Sequence, residues 1–139
     1  MDEEPKLSIV LFSGTDDKLN AAAILITGAA AMGRPVDVFL QYWGLDAFRA
    51  DRIRKDHGVS AEAGPEGAAF LRKFAEEHGQ QHWADTLAQA KDIGEVGIYA
   101  CSLSMDVFGI TKGDLDPLVD GVWGVAAFTA AATGQVLFI

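Results

Sequence analysis

Short apolar runs that alternate with helical segments are the feature that most constrains the fold of this chain. Residues 7–12 read Leu-Ser-Ile-Val-Leu-Phe, which is typical of a strand covered on both faces in a parallel sheet. Residues 18–32 are alanine-rich and apolar nearly all round, which predicts a largely buried helix. A second strand is predicted at 36–40, extending into 41–43. This order favours a right-handed crossover between two parallel strands.

The rest of the chain continues the alternation. Further strands are predicted at 96–100, 118–122 and 135–139. Further helices are predicted at 66–77, 81–91, 102–108 and 123–132. Residues 44–67 are less regular, and we expect a short helix and a mobile loop there. The pattern predicts one domain over residues 1–139 with a frayed tail at 1–5, built as a three-layer α/β fold with an open sheet of four to five mostly parallel strands and helices on both faces.

Composition excludes several classes of partner. The chain has 11 Lys and Arg against 20 Asp and Glu, a formal net charge of −9, which argues against a nucleic-acid-binding surface. The apolar stretch 19–32 is too short to cross a bilayer, and 122–139 is interrupted by glycines and polar residues, so we predict no membrane partner. The N-terminal residues lack a signal-peptide pattern, and a single cysteine cannot form an intramolecular disulfide. We therefore expect a cytoplasmic protein.

The only cysteine, Cys101, is the main candidate for chemistry. It follows the apolar run 96–100 and precedes Ser102 and Ser104, a residue type that begins helices. A thiol at such a strand-to-helix turn meets free backbone amides and the positive end of the helix dipole, which favour the nucleophilic thiolate. The alternative is a buried cysteine that acts as a small hydrophobic side chain.

Three loops are expected to meet at the carboxyl edge of the sheet, where open parallel sheets bind ligands. The predicted site comprises Cys101 as the reacting group and a set of binding residues, namely Ser13, Gly14, Thr15, Tyr42, Trp43, Ser102 and Ser104. The first loop resembles part of a phosphate-binding loop but lacks Walker spacing, so a helix cap is the alternative there. For the two aromatic residues, packing or a subunit interface is the alternative.

The histidines and the basic segment give weaker signals. His78 and His82 stand four residues apart, but Gly79 lies between them and no third ligand is evident, so we predict no metal site and no cofactor. His57 would approach the thiol only if its segment folds over the sheet edge. The cationic cluster at 49–55 is interpreted as a solvated face, with an anion-attracting rim as the alternative.

Several segments together resemble the DsrE/DsrF-like family, in the branch often labelled peroxiredoxin-like. The resemblance spans nearly the whole chain. It is carried by residues 12–19 (Phe-Ser-Gly-Thr-Asp-Asp-Lys-Leu), by the segments 29–33, 38–39 and 43–45, and by residues 99–106 (Tyr-Ala-Cys-Ser-Leu-Ser-Met-Asp) with Gly109. The cysteine segment in combination with the first loop is its most specific part.

The resemblance implies a small α/β sulfur-carrier or sulfurtransferase-like protein that forms homo-oligomers, often trimers or multiples of them. Cys101 would carry a persulfide or thiosulfonate, and the implied partners are sulfur donor and acceptor proteins or small sulfane-sulfur compounds. Some relatives that handle thiosulfate have a second cysteine, which this chain lacks, so we expect it to hold one sulfur at a time. No peroxidatic segment accompanies Cys101. The alternative is a non-catalytic oligomeric binding or scaffold module with a buried, unreactive cysteine.

Overall fold

A computed structural model describes residues 5–139, in which strands and helices alternate. The strands are β1 (Leu7–Leu11), β2 (Val36–Leu40), β3 (Val96–Cys101), β4 (Gly121–Trp123) and β5 (Gln135–Phe138). The helices are α1 (Asp16–Ala31), α2 (Tyr42–Asp46), α3 (Gly67–His78), α4 (Trp83–Ile93), α5 (Ser102–Phe108) and α6 (Val125–Ala131). The predicted α/β fold class is confirmed.

All five strands run parallel in one open sheet, in the order β4-β3-β2-β1-β5. The two strands that flank α1 are direct neighbours, with Ile9 opposite Val38, so the predicted β-α-β unit is present. On the other side of β2, which is the central strand, Val38 lies opposite Ile98 of β3. The carboxyl ends of all five strands therefore lie at one edge of the sheet.

The two faces of the sheet are covered unequally. Ile9, Val38 and Ile98 point to one face and are fully buried in the main hydrophobic core. α1 and α4 supply the helical side of that core, chiefly through the buried side chains Leu19, Ala22, Ile26, Trp83, Leu87 and Ala90. The opposite face holds a second, much smaller buried cluster made by Phe39, Cys101 and Phe128. Because Phe128 belongs to α6, this short helix is the cover of the second face.

Strand β2 stops at Leu40, and the predicted extension into residues 41–43 is wrong. Tyr42 has a φ of +46°, a left-handed conformation that a non-glycine residue rarely adopts and that turns the chain out of the strand direction. The Tyr42 amide then donates a hydrogen bond to the Ser104 hydroxyl, 3.1 Å away, instead of to a neighbouring strand. Helix α2 begins at this residue.

Strand β4 begins later than predicted, at Gly121 instead of residue 118. The Asp120 carboxylate accepts hydrogen bonds from the Ile98 amide and the Lys91 ammonium, so a side chain takes the place of a ladder partner just before the strand. The last helix is displaced in the same direction and starts at Val125 instead of Trp123. The helix starts later because β4 continues through Trp123 and Gly124 occupies the N-cap position of α6.

The long segment between α2 and α4 is tied to the start of α1. The Ser60 amide and hydroxyl both donate to the Asp17 carboxylate, and the Trp83 indole Nε1 donates to Asp16 Oδ1 at 3.1 Å. Between these anchors lies α3, which buries none of its residues. The stretch from Ser60 to Trp83 is thus held at both ends by two neighbouring carboxylates, and the first anchor lies inside the predicted irregular segment 44–67.

Two expectations concern the ends and the membrane. Except for Pro5, the tail predicted at residues 1–5 lies outside the described residues. Within residues 5–139, no helix is long and apolar enough to span a bilayer. The longest helix is α1, with 16 residues.

Candidate functional site

Cys101 is the last residue of β3 and occupies the N-cap position of α5, without a side-chain capping hydrogen bond. The thiol therefore lies at a strand-to-helix junction, as the sequence indicates. Cys101 is only 2% exposed and packs with Phe39 and Phe128. In the β3–β4 pairing, Cys101 lies opposite Trp123, whose ring stacks on Tyr99 at 3.7 Å between centroids. The thiol is therefore enclosed by aromatic side chains.

Helix α6 closes the enclosure through a single residue. Phe128 is the only side chain of α6 that is buried, and its ring stacks on Phe39 with 4.7 Å between centroids and an interplanar angle of 8°. The other residues of this seven-residue helix contribute no buried side chain. Access to Cys101 from this side therefore depends on the position of one phenylalanine.

Tyr42 and Ser104 meet beside the cysteine-bearing helix. Ser104 is buried in α5, and its hydroxyl accepts the hydrogen bond from the Tyr42 amide. The positive φ of Tyr42 is a strained conformation, and strain of this kind is retained where surrounding contacts enforce it. Ser102, also in α5, is exposed. The loop after β2 is thus fixed to the helix that follows Cys101.

The first loop lies at a separate cleft at the same edge of the sheet. Ser13, Gly14 and Thr15 line this cleft of about 470 Å³ together with Trp43. Gly14 touches Trp43 so closely that an added Cβ would overlap the Trp43 carbonyl oxygen, so only glycine fits. The remaining lining residues are Phe12, Lys18, Asp46, Ala47, Arg52, His57, Ser60 and Ala61.

The predicted site residues therefore fall into two groups. Ser13, Gly14, Thr15 and Trp43 share the cleft, whereas Cys101 does not line it and lies in the aromatic cluster under α6. Tyr42 connects the two groups, because its neighbour Trp43 lines the cleft while its own amide is bonded to α5.

Lys18 and the segment 57–61 are cleft residues that the sequence analysis did not assign. Lys18 is the third residue of α1 and lies in its first turn. This position next to the first loop is the sequence feature that could have identified it. His57 reaches the cleft because its amide donates to Asp16 Oδ2 at 3.0 Å. That contact joins residues far apart in the chain and leaves no local pattern in the sequence.

The aspartates at the start of α1 act as anchors for this segment. Burial alone raises the pKa of Asp17, but the hydrogen bonds from the Ser60 hydroxyl and amide outweigh it and hold the pKa below its usual value. Neither Asp16 nor Asp17 lines the cleft. Their carboxylates instead accept hydrogen bonds from His57, Ser60 and Trp83.

Two of the three histidines, His57 and His82, pack against Trp83, and His78 lies apart from them on α3. His82 precedes α4 and its Nδ1 accepts a hydrogen bond from the Ala84 amide at 3.0 Å, which caps the helix. Burial lowers the pKa of His82, and the nearby Arg54 lowers it further. His78 packs on Phe74 at the end of α3. In the part of the chain that the structure describes, no group of three or more His, Cys, Asp or Glu residues could hold a metal ion.

The cationic cluster at 49–55 is largely paired. Arg49 and Arg52 both contact the Asp46 carboxylate, at 3.6 and 3.2 Å. Arg54 makes a bidentate contact with Asp85, at 2.7 and 2.9 Å. Of these arginines, Arg52 lines the cleft.

Comparisons with known proteins agree with this architecture. A model described as the DsrE/DsrF/DrsH-like family matches residues 3–64 and 60–138. The chain is 29% identical over 160 aligned residues to the uncharacterized protein YrkE of Bacillus subtilis (strain 168), covering 99% of each protein.

Two solved structures share the fold. MTH1491 from Methanobacterium thermoautotrophicum, a protein of unknown function, has a TM-score of 0.62 at 13% identity, with 98% of this chain and 100% of that chain covered. The ychN protein from E. coli has a TM-score of 0.60 at 16% identity, with the same coverage. The family match extends over nearly the whole length, and the chain therefore belongs to the DsrE/DsrF/DrsH-like family, a family of sulfur-relay proteins whose members often oligomerise.

Proposed function

We propose that this protein carries a sulfane sulfur on Cys101, which it accepts from a donor and passes to an acceptor. The observation that carries the proposal is the position of the only thiol of a sulfur-relay family member, at the end of β3 inside an aromatic enclosure. Phe39 and Phe128 contact the cysteine and keep water away from it. Such an enclosure would protect a bound sulfur from hydrolysis and from chance thiols.

The transfer proceeds by thiol–persulfide exchange and needs no external oxidant or reductant. The Cys101 thiolate attacks the terminal sulfur of a donor persulfide, the sulfur–sulfur bond of the donor breaks, and the donor leaves as a thiolate. Cys101 then holds the sulfur as a persulfide until an acceptor thiolate attacks the outer sulfur and frees Cys101. Since the chain has one cysteine, no internal disulfide can resolve the adduct. With tetrathionate as the donor, the Cys101 thiolate attacks an inner sulfur, the central sulfur–sulfur bond breaks, thiosulfate leaves, and Cys101 holds a thiosulfonate.

Donor access requires movement of Phe128. This ring covers Cys101 but is the only buried side chain of α6, so displacing the helix disrupts little of the main core. The donor is thus expected to reach the thiol from the α6 face of the sheet.

Intact-mass measurement tests the proposal directly. We expect incubation with a small persulfide donor, thiosulfate or tetrathionate to add a sulfur-containing group that reductant removes, and Cys101→Ser to remain unmodified. The serine variant is nearly isosteric and leaves the aromatic cluster in place. If no donor gives a reducible adduct on the wild-type chain, the sulfur-carrier proposal is wrong for these donors.

A second candidate function, a non-catalytic scaffold, is favoured by the near-complete burial of Cys101. The rate of thiol alkylation as a function of pH separates the two. A carrier is expected to alkylate in the native state, whereas a scaffold cysteine reacts only after unfolding.

We further propose that the chain assembles as a homo-oligomer, a trimer or a multiple of one, through the face of the sheet under α6. Parallel sheets are normally covered on both faces, yet Val136 and Phe138 of β5 are 49% and 69% exposed on this face. A second copy of the chain would cover them.

Light scattering coupled to gel filtration measures the assembly. Phe138→Glu is expected to lower the molar mass toward that of one chain, whereas the matched change Phe70→Glu, on the exposed surface of α3, is expected to leave it unchanged. A wild-type chain that elutes as a monomer would contradict the proposal.

A further inference from the structure

We propose that the cleft between the first loop, α2 and the segment 57–61 binds a small organic anion. The site is separate from the proposed sulfur chemistry, because Cys101 does not line it. Its volume of about 470 Å³ lies in the range of small-molecule sites. Three features support the assignment: the ammonium group of Lys18, which forms no ion pair in the described residues, the buried hydroxyl of Thr15 and the aromatic side chain of Trp43.

The charge of the cleft is opposite to that of the protein as a whole. The charged residues that line it are Lys18, Arg52 and Asp46, which gives an excess of one positive charge in a chain of net charge −9. Arg52 is paired with Asp46 at 3.2 Å. Lys18 is half-buried and forms no ion pair within residues 5–139. Its ammonium group is therefore available to an anion.

The acidic residues nearest to Lys18 in sequence do not cancel this charge. The Asp16 carboxylate accepts hydrogen bonds from the His57 amide and the Trp83 indole, and the Asp17 carboxylate accepts two from Ser60. These contacts hold both carboxylates on the side of the anchored segment, outside the lining of the cleft. Both carboxylates therefore accept hydrogen bonds from His57 and Ser60, which line the cleft, and neither forms an ion pair with Lys18 within residues 5–139.

The hydroxyl of Thr15 adds a polar group for the ligand. Its Oγ1 is buried and lies beside the Asp17 carboxylate, where it helps to lower the pKa of Asp17, but it forms no well-aligned hydrogen bond in the described part of the chain. An unsatisfied buried hydroxyl costs free energy, which a ligand acceptor atom would recover. Ser13 lines the same wall two residues away. The anionic group of the ligand is therefore placed against Thr15 and Lys18.

The apolar residues that line the cleft determine what the rest of the ligand must be. Phe12, Trp43, Ala47 and Ala61 present apolar surface to the cleft. The Trp43 ring packs edge-on against Phe108, with 5.5 Å between centroids, yet the residue is more than half exposed, so part of its indole is open to a planar group. A carboxylate or phosphate monoester attached to an aromatic or other planar group would contact both Lys18 and Thr15, through its anionic group, and the apolar lining, through its planar group.

Two-dimensional amide NMR titration tests the proposal, with phenyl phosphate, benzoate, inorganic phosphate and the neutral analogue benzamide as probes. We expect saturable shifts at Thr15, Lys18 and Trp43, with phenyl phosphate or benzoate binding more tightly than benzamide. Inorganic phosphate distinguishes the contribution of charge alone from that of the apolar wall. The spectrum itself reports whether each variant is folded.

Matched lysine variants identify the cation. Lys18→Gln is expected to weaken anion binding by about tenfold, the loss of one charge-assisted hydrogen bond, and Lys18→Arg to retain most of it. Lys55→Gln removes an exposed lysine that does not line the cleft and is expected to have no effect. Cys101→Ser is expected to bind like the wild type, so the outcome is independent of sulfur transfer.

Three outcomes would overturn the proposal. The first is the absence of saturable shifts at the cleft with every anionic probe. The second is equal binding of benzamide and benzoate. The third is unchanged anion affinity in Lys18→Gln.

Discussion

The face of the sheet under α1 and α4 differs from the face under α6 in how much buried apolar surface it holds. Ile9, Val38 and Ile98 lie in the main core, whereas the other face buries only the cluster of Phe39, Cys101 and Phe128. Because stabilisation by burial scales with apolar area, most of the folding free energy comes from the first face. The second face is thereby less constrained by packing, as the chemistry proposed at Cys101 requires.

The largest effect is expected from Ile98→Ala, in the middle of β3 on the face under α1 and α4. Ile98 is fully buried, so the truncation leaves a cavity and should lower the free energy of unfolding by about 4 kcal/mol. Urea unfolding measures this value. The control Val136→Ala, on the opposite face, should cost under about 1 kcal/mol. Equal losses in the two variants would remove the distinction between the faces.

A smaller loss is expected from Phe128→Ala, about 3 kcal/mol, because its cluster contains few other buried side chains. The same change uncovers Cys101 and should raise its alkylation rate in the native state by about tenfold or more. Val125→Ala on the exposed side of α6 should leave the alkylation rate unchanged. An unchanged rate in Phe128→Ala would show that the thiol is reached by another path.

The free energy of unfolding should also fall as the pH drops below about 6.5, the ordinary pKa of histidine. The pKa of His82 is lowered in the folded state by burial and by Arg54, so the unfolded chain binds this proton more readily. The stability supplied by neutral His82 is present above the unfolded pKa and is lost as the pH falls toward the folded pKa. The loss should be about 1 kcal/mol, the value of a helix cap.

Urea unfolding at a series of pH values measures this dependence. His82→Asn keeps a capping acceptor but cannot titrate, so the change between about pH 7.5 and pH 5.5, one unit either side of the ordinary histidine pKa, should become smaller. His78→Gln removes a histidine that caps no helix start and should keep the dependence. If His82→Asn and the wild type respond equally, other groups cause the change.

The smallest effect is expected on the solvent side of α1. Gly28 lies inside this helix, and an added Cβ meets nothing within 4 Å. Gly28→Ala should therefore raise the free energy of unfolding by about 0.5–1 kcal/mol through helix propensity. The reciprocal change Ala21→Gly, at an exposed position of the same helix, should lower it by a similar amount. Thermal unfolding of both variants checks the sign.

Much of the fold could be predicted because apolar runs and helical periodicity are local properties. The helix at 102–108 has the same bounds in the sequence analysis and in the structure, and the strand at 36–40 is present without its predicted extension. The errors arose where a contact from elsewhere in the chain ends a strand. Ser104 fixes the turn at Tyr42, and Asp120 bonds to Ile98 and Lys91 before β4 begins.

The site was predictable only in part for the same reason. The junction at Cys101 follows from local sequence, since an apolar run there meets helix-starting residues. Its cover by Phe128 depends on where α6 packs, and the contribution of His57 to the cleft depends on its bond to Asp16. Single-sequence patterns do not encode such distant pairings.

The double anchoring of the segment after residue 60 has a consequence for how this chain can change in length. Ser60 and Trp83 are held by the adjacent residues Asp17 and Asp16, so the stretch between them begins and ends at nearly the same place on the domain. The helix inside it, α3, buries no residue. Insertions, deletions or a grafted reporter peptide there should leave the sheet undisturbed, which makes this excursion the natural point for evolution or an engineer to add a new function.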